Sequence, residues 1–328
     1  MNIAFFNTKS YDREAFEHAN NAYKHTIHFI EPHLNEVTAQ LVQDDKCVCV
    51  FINDTLDRTV LELLKQSGVE LIALRSAGFN HVDLDAAKEL GLHVVRAPAY
   101  SPYATAEYAV GLLLVLNRRL HRAFNRVREG DFSINGFMGF DIHGKTVGIV
   151  GTGKIGIAFA SIMTGFGTRV IAYDVHASPE CETMGVEYVS LDELYAQSDI
   201  ISLHCPLVEE THHMIDASAI AKMKTGVTLL NTSRGRLLDT PAVIVALKDR
   251  KIGLLGLDVY EEEESIFFED LSDDMIEDDV FARLLTFPNV LATSHQGFFT
   301  REAVEAIADT TLENIRQYEN NEPLVNAI

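Results

Sequence analysis

The first hundred residues alternate short, continuous apolar runs with segments of helical periodicity. NIAFF at 2–6, HTIHFI at 25–30, CVCVF at 47–51, ELIAL at 70–74 and LHVV at 92–95 read as strands, with amphipathic helices over 11–20, 56–66 and 83–90. Runs without polar alternation suit strands covered on both faces, so the pattern predicts a small doubly wound parallel sheet. A helix is predicted from 102, with Ser101 at its N-cap and Pro102 in its first turn. It is expected to continue to about Gly130, with Arg118, Arg119, Arg122, Arg126 and Arg128 crowding its C-terminal half. Those arginines read first as a solvated face that complements the helix dipole, and second as an interface or anion site. From Lys145 the alternation restarts. TVGIV, RVIAYD, DIISLHC, VTLLN, LLGLDVY and NVLAT predict six strands of a second doubly wound sheet, with helices from about 154 and near 191–197, 216–223 and 241–250. A last segment, 300–319, lines Val304, Ile307, Ala308, Leu312 and Ile315 along one stripe and is expected to pack back on the first sheet.

At 328 residues the chain exceeds the usual span of one core, which points to two α/β domains with a cleft between them. The boundaries fall at 1–100 plus 299–328 for a flavodoxin-like domain and 101–298 for the other. The net charge of -21 disfavours nucleic acid or an anionic membrane surface as partner, and any small anionic ligand needs a local positive group. The four cysteines, 47, 49, 181 and 205, contain no CxxC pair and read as buried free thiols of a reducing, cytoplasmic setting. The longest apolar stretch, Tyr108–Leu116, is too short to span a bilayer, and no basic segment precedes the apolar run at the N-terminus, so no targeting or anchoring is expected. The acidic tract at 261–279 reads as a solvated loop.

The first chemical signal is VGIVGTGKIG, a strand followed by Gly151, Gly153 and Gly156 in GxGxxG spacing at the start of a helical segment. The glycines permit a tight turn, close approach of a pyrophosphate and close helix–strand packing, in that order. The next strand ends in Asp174, placed to accept hydrogen bonds from the hydroxyls of an adenosine ribose. No Arg or Lys stands beside it to neutralise a 2'-phosphate, so NAD is expected rather than NADP, in a Rossmann domain. The second signal is a set of strand ends. VTLLN runs into Arg234, LLGLDV into Asp258 and a run of glutamates, and NVLAT into His295. A guanidinium fork suits bidentate capture of a carboxylate, and an imidazole next to a carboxylate is favoured in its charged form. Taken alone, His295 reads first as a hydrogen-bonded structural group among aromatic neighbours. No metal site is expected.

GTGKIG, Asp174, HCPL at 204–207, NTSRGRLLD at 231–239, GLDVYEEE at 256–263 and TSHQGFFT at 293–300 together resemble the D-isomer-specific 2-hydroxyacid dehydrogenase family. The likeness extends over essentially the whole chain, through RSAGFNHVDL at 75–84, APAYSPYA at 97–104 and FFEDLSDDMIEDDVFARLL at 267–285. Within the family it is greatest to the branch that reduces pyruvate to D-lactate in fermentation. The resemblance implies a catalytic trio of Arg234, Glu263 and His295, with Glu263 chosen among the glutamates by the family spacing alone. It implies that Arg234 and the backbone N–H groups of Ala77 and Gly78 hold a 2-oxo acid, while Tyr100 and Phe298 line a small side-chain pocket. Lys154, Ile155, Cys205, Pro206, Thr211, Thr232, Ser233 and Asp258 would line the dinucleotide, with Thr211 standing where close relatives commonly have asparagine. The resemblance further implies a homo-oligomer, dimer or tetramer, and a cleft that closes about hinges near 100 and 298. Two other readings are a dehydrogenase for hydroxypyruvate, glyoxylate or a branched 2-oxo acid, and a non-enzymatic NAD-sensing binding protein.

Overall fold

The computed structural model describes residues 1–263, 266–268 and 270–328. It divides into two compact units, Met1–Ser101 with Phe299–Ile328, and Pro102–Phe298. Among the described residues the first unit holds a five-stranded parallel sheet: β1 (Asn2–Phe5), β2 (Thr26–Phe29), β3 (Cys47–Val50), β4 (Leu71–Leu74) and β5 (His93–Arg96), in the order β2-β1-β3-β4-β5. Its central strands are apolar because both faces are covered. Every residue of β3 and β4 is buried, the thiols of Cys47 and Cys49 included. The helix Arg301–Glu319 belongs to this unit, and its Asn314 and Tyr318 bond to the carbonyl of Arg96 and to Glu70.

The second unit holds β6 (Thr146–Val150), β7 (Arg169–Tyr173), β8 (Glu187–Tyr188), β9 (Ile200–Leu203), β10 (Val227–Asn231), β11 (Ile252–Leu257) and β12 (Val290–Ala292). They form a parallel sheet in the order β12-β11-β10-β9-β6-β7-β8. The sequence pattern predicts six of these strands. The seventh, β8, is a two-residue edge strand too short to impose a hydrophobic rhythm.

Helix starts explain part of the acidic excess. Asp57, Asp83, Asp216, Asp239 and Asp278 each accept a backbone N–H in the first turn of the helix that follows, contacts worth about 1 kcal/mol apiece. The cap at Asp278 opens a helix, Asp279–Leu285, where the tract expected to be solvated loop ends. Glu264, Ser265 and Glu269 of that tract lie outside the described residues.

The single helix predicted from 102 to about 130 is instead two, Pro102–Arg118 and Leu120–Arg128. Arg119 between them is left-handed, with φ 50°. The break comes where burial ends: Leu116 and Asn117 are buried, and the second helix buries no residue. The Asn117 amide bonds both the N–H and the carbonyl of Phe140, tying the end of the first helix to a returning segment. The arginines beyond the break lie on the surface, where Arg126 donates to the carbonyls of Ser133 and Asn135.

Candidate active site

Parallel pairing brings the C-terminal ends of β10, β11 and β12 into line, with Asn231 beside Leu257 and Leu257 beside Ala292. Neighbouring strands lie about 4.8 Å apart, so the groups emerging beyond these residues share one edge of the sheet. Arg234 follows β10 by three residues, Asp258 follows β11 directly and His295 follows β12 by three.

His295 is left-handed, with φ 52°, and its N–H donates to the Asp258 carbonyl at 2.7 Å. Its ring Nδ1 lies 2.8 Å from Glu263 Oε1. The other Glu263 oxygen accepts the N–H of Tyr260 at 2.9 Å, so the carboxylate is fixed by its own loop before it meets the histidine. A carboxylate at Nδ1 favours a proton on that nitrogen and fixes the ring's orientation. Among the described residues Nε2 takes no partner, and the side chains of His295 and Glu263 are 17% and 16% exposed, sheltered but reachable. The ring is therefore held at one nitrogen and is not sealed in the interior.

Asp258 holds the loop that carries His295. It is 1% exposed; its Oδ1 accepts from Thr293 Oγ1 at 2.6 Å and Gln296 N at 3.0 Å, and its Oδ2 from Gly297 N at 2.7 Å. Burial pushes this carboxyl above the usual range, against the pull of those donors. Gly297 is required here, because a Cβ would stand 2.9 Å from Asp258 Oδ2. Sequence reasoning linked Asp258 to the cofactor and missed this bracing role. The spacing between Asp258 and the 293–297 loop exceeds any local motif.

Arg234 is half-buried. Its Nη1 donates to the Ser233 carbonyl at 2.6 Å, leaving the rest of a five-donor fork free among the described residues. Asn231 shapes the turn, donating to the Arg234 carbonyl at 2.8 Å and accepting from Ser233 N at 3.0 Å. At Gly235 a Cβ would fall 2.0 Å from the backbone of Tyr260, so only glycine lets the arginine turn pack against the loop that carries Glu263.

The cofactor motif sits where strand order reverses, between β6 and β9. Gly151 has φ 95°, and a Cβ on it would meet the backbone of His204 and Cys205 at 2.7 Å. A Cβ on Gly156 would meet the Gly151 carbonyl at 2.0 Å, so the helix can approach the strand only without a side chain there. At Gly153 nothing lies within 4 Å, and no side chain caps the helix Lys154–Gly165 that it opens. The turn therefore presents an open face and helix N–H groups unpaired among the described residues, which suit a pyrophosphate. Lys154 and Ile155 form the first helical residues, exposed and half-buried respectively. Thr232 Oγ1 is buried without a hydrogen-bond partner among the described residues, an orphan that a bound dinucleotide could satisfy.

Asp174 accepts from Thr152 N at 2.5 Å and His176 N at 3.0 Å. Burial raises its carboxyl, but these N–H groups outweigh that and hold it below its ordinary range, so it stays anionic. Replacing Asp174 with alanine is expected to raise the Kd for NADH about tenfold while changing that for NADPH little, measured by quenching of nicotinamide fluorescence. An unchanged preference would remove Asp174 from cofactor selection.

Other expected cofactor contacts have local duties as well. Ser233 Oγ donates to the Cys205 carbonyl at 2.6 Å, and burial pushes the Cys205 thiol up to about 11, so it is no thiolate nucleophile. Thr211 Oγ1 donates to the Pro206 carbonyl at 2.8 Å and accepts from Val208 N at 2.9 Å, closing its own turn. His204 of the HCPL motif is half-buried with its ring against Phe159, and desolvation holds it down to about 3, which excludes it from proton transfer near neutrality.

In the first unit, Ala77 and Gly78 follow β4, and among the described residues their N–H groups take no intramolecular acceptor. Tyr100 is half-buried in that unit, and Phe298 is the last, buried residue of the second. Among the described residues no three His, Cys, Asp or Glu side chains converge as a metal site.

Residues 110–297 match the family model described as D-isomer specific 2-hydroxyacid dehydrogenase, NAD binding domain. The chain is 50% identical over 328 residues to the D-lactate dehydrogenase of Escherichia coli, covering all of both chains. The solved apo-structure of D-lactate dehydrogenase from Escherichia coli aligns with a TM-score of 0.92 at 48% identity over all of both chains. A D-lactate dehydrogenase from Aquifex aeolicus, solved with NAD and lactic acid, aligns with a TM-score of 0.86 at 32% identity, covering 98% of this chain and 96% of that one.

Proposed function

The chain belongs to the D-isomer-specific 2-hydroxyacid dehydrogenase family and is an NAD-dependent oxidoreductase, and from that premise we propose that it reduces pyruvate reversibly to D-lactate, with Arg234, Glu263 and His295 as its working side chains. The observation that carries the reading is the Glu263 carboxylate, bonded on one side to Tyr260 N and on the other to His295 Nδ1. Bound NADH supplies the hydride. Arg234 binds the substrate carboxylate with its free N–H groups and polarises the neighbouring keto oxygen. His295 gives its Nε2 proton to that oxygen as the keto carbon becomes a secondary alcohol, and Glu263 holds the ring in place through Nδ1. In the reverse direction neutral His295 takes the hydroxyl proton. In the first unit, the N–H groups of Ala77 and Gly78 serve as carboxylate donors and Tyr100 restricts the substrate side chain, a restriction to which Phe298 of the second unit adds.

The test is steady-state oxidation of NADH with a series of 2-oxo acids, followed by chiral analysis of the product. Pyruvate is expected to give the highest kcat/KM and to yield D-lactate, with each methylene too many costing about 1–3 kcal/mol in a fitted pocket. A higher kcat/KM for 2-oxoisocaproate would contradict the substrate assignment. Absence of turnover with every 2-oxo acid would favour the NAD-sensing alternative.

We also infer a homo-oligomer. Leu120, Phe124, Val127, Phe132, Ile134 and Met138, all exposed, bring apolar side chains together along 120–138 on a strongly acidic chain. Light scattering is expected to give at least twice the chain mass of 36.5 kDa, and a single-chain mass would contradict the inference. No helix among the described residues is long and apolar enough to cross a membrane.

A further inference from the structure

We propose that Arg96 is a positioning residue that aims and strengthens the Gly78 N–H as a donor to the substrate carboxylate, an inference resting on the reading above that the Ala77–Gly78 loop binds that group. Arg96 is the last residue of β5, and its Nη1 donates to the Ala77 carbonyl at 2.8 Å. Its guanidinium carbon also lies 5.0 Å from the centroid of the Phe79 ring. One arginine therefore grips the loop on both sides of Gly78.

The Ala77 carbonyl and the Gly78 N–H belong to one planar peptide, and no peptide bond described here is cis, so the two groups point in opposite directions. Holding the oxygen behind the loop turns the N–H out in front. A charge-assisted bond to the oxygen also draws density from the amide and makes its N–H a stronger donor. In a chain of net charge -21, the guanidinium adds a positive group behind a loop that must attract an anion.

The rest of the loop is held independently. Ser76 Oγ donates to the Gly78 carbonyl at 2.8 Å, and Ala97 N donates to the Ser76 carbonyl at 3.2 Å. The Arg96 backbone is braced in turn. Its N–H donates to the Asn326 carbonyl at 3.1 Å, its carbonyl accepts from Asn314 Nδ2 at 2.8 Å, and Asn326 Nδ2 donates to Asn314 Oδ1 at 2.8 Å. The final helix and C-terminal segment thus fix the residue that fixes the loop.

Kinetics and glycine-selective ¹⁵N NMR test this together, with oxamate as the pyruvate isostere added to NADH-loaded protein. In Arg96→Met the KM for pyruvate and the Kd for oxamate are each expected to rise about tenfold, with kcat and the KM for NADH within about twofold of wild type. Arg96→Lys, which keeps a charged donor, should recover most of the loss. Arg96→Gln, which keeps a donor without the charge, should give about a threefold rise and serves if the methionine variant does not fold. The Gly78 amide proton should move downfield with oxamate in wild type and start upfield in Arg96→Met. An equal oxamate response and equal Kd in both proteins would overturn the role of Arg96 while leaving the loop as the carboxylate site. A Gly78 amide indifferent to oxamate in wild type would overturn the loop reading itself.

Discussion

Replacing His295 with alanine is expected to lower kcat for pyruvate reduction about a thousandfold while leaving the Kd for NADH within about twofold. The size follows from losing the proton donor for an alkoxide that would otherwise form in a site sheltered from water. The selectivity follows from geometry. His295 hangs from the Asp258 carbonyl and from Glu263, whereas the glycine turn and Asp174 lie across the sheet at the ends of β6 and β7. Glu263→Gln should retain more activity, because an amide oxygen can still accept from Nδ1, but it replaces a charge-assisted bond with a weaker neutral one. Imidazole added to His295→Ala should restore part of the rate. Stopped-flow measurement of NADH absorbance reads all three, and a His295→Ala enzyme within tenfold of wild type would exclude the residue as the acid.

Arg234→Met is expected to lower kcat/KM for pyruvate by about 10²–10⁴-fold, since two charge-assisted bonds worth about 1.5–3 kcal/mol each disappear. Part of the loss should fall on kcat, because the same fork polarises the keto oxygen in the transition state. Arg234→Lys should rescue little: an ammonium is a point donor and cannot reproduce the fork. The turn itself should survive, since Asn231 bonds to the backbone of residues 233 and 234 rather than to the guanidinium. Steady-state kinetics over a wide pyruvate range separates the terms, and an unaltered KM and kcat would remove Arg234 from the site.

The fold was legible wherever burial imposes a rhythm. Strands such as CVCV and LIAL are apolar throughout because both faces are covered, and such runs identify parallel strands without any tertiary information. The pattern failed where local geometry outweighed it. Arg119 breaks a segment that periodicity carries on to 130, because burial stops at Asn117 and the segment returning through Phe140 takes over the Asn117 amide. β8 is too short for a period, and the helix Asp279–Leu285 is announced mainly by the Asp278 cap within an acidic tract.

The site was legible in part. Residue type and strand-end position pointed to Arg234 and His295, but choosing Glu263 among its neighbours required the family spacing. The physical reason for that choice lies in the fold: Tyr260 N holds the carboxylate of Glu263, while Glu261 turns to His213 and the N–H of Thr240. Gly235, with no room for a Cβ beside Tyr260, and the bracing role of Asp258, tied to three donors of the His295 loop, escape any sequence reading. Their partners are far away in the chain.

The central claim, that His295 delivers its Nε2 proton to the keto oxygen while Glu263 holds Nδ1, meets its most direct test in a crystal structure of the ternary complex with NADH and oxamate. The account predicts Nε2 within about 2.6–3.2 Å of the oxamate carbonyl oxygen, with the Nδ1 bond to Glu263 retained. An imidazole turned away from the ligand, or a Glu263 carboxylate released from it while another side chain contacts that oxygen, would contradict it.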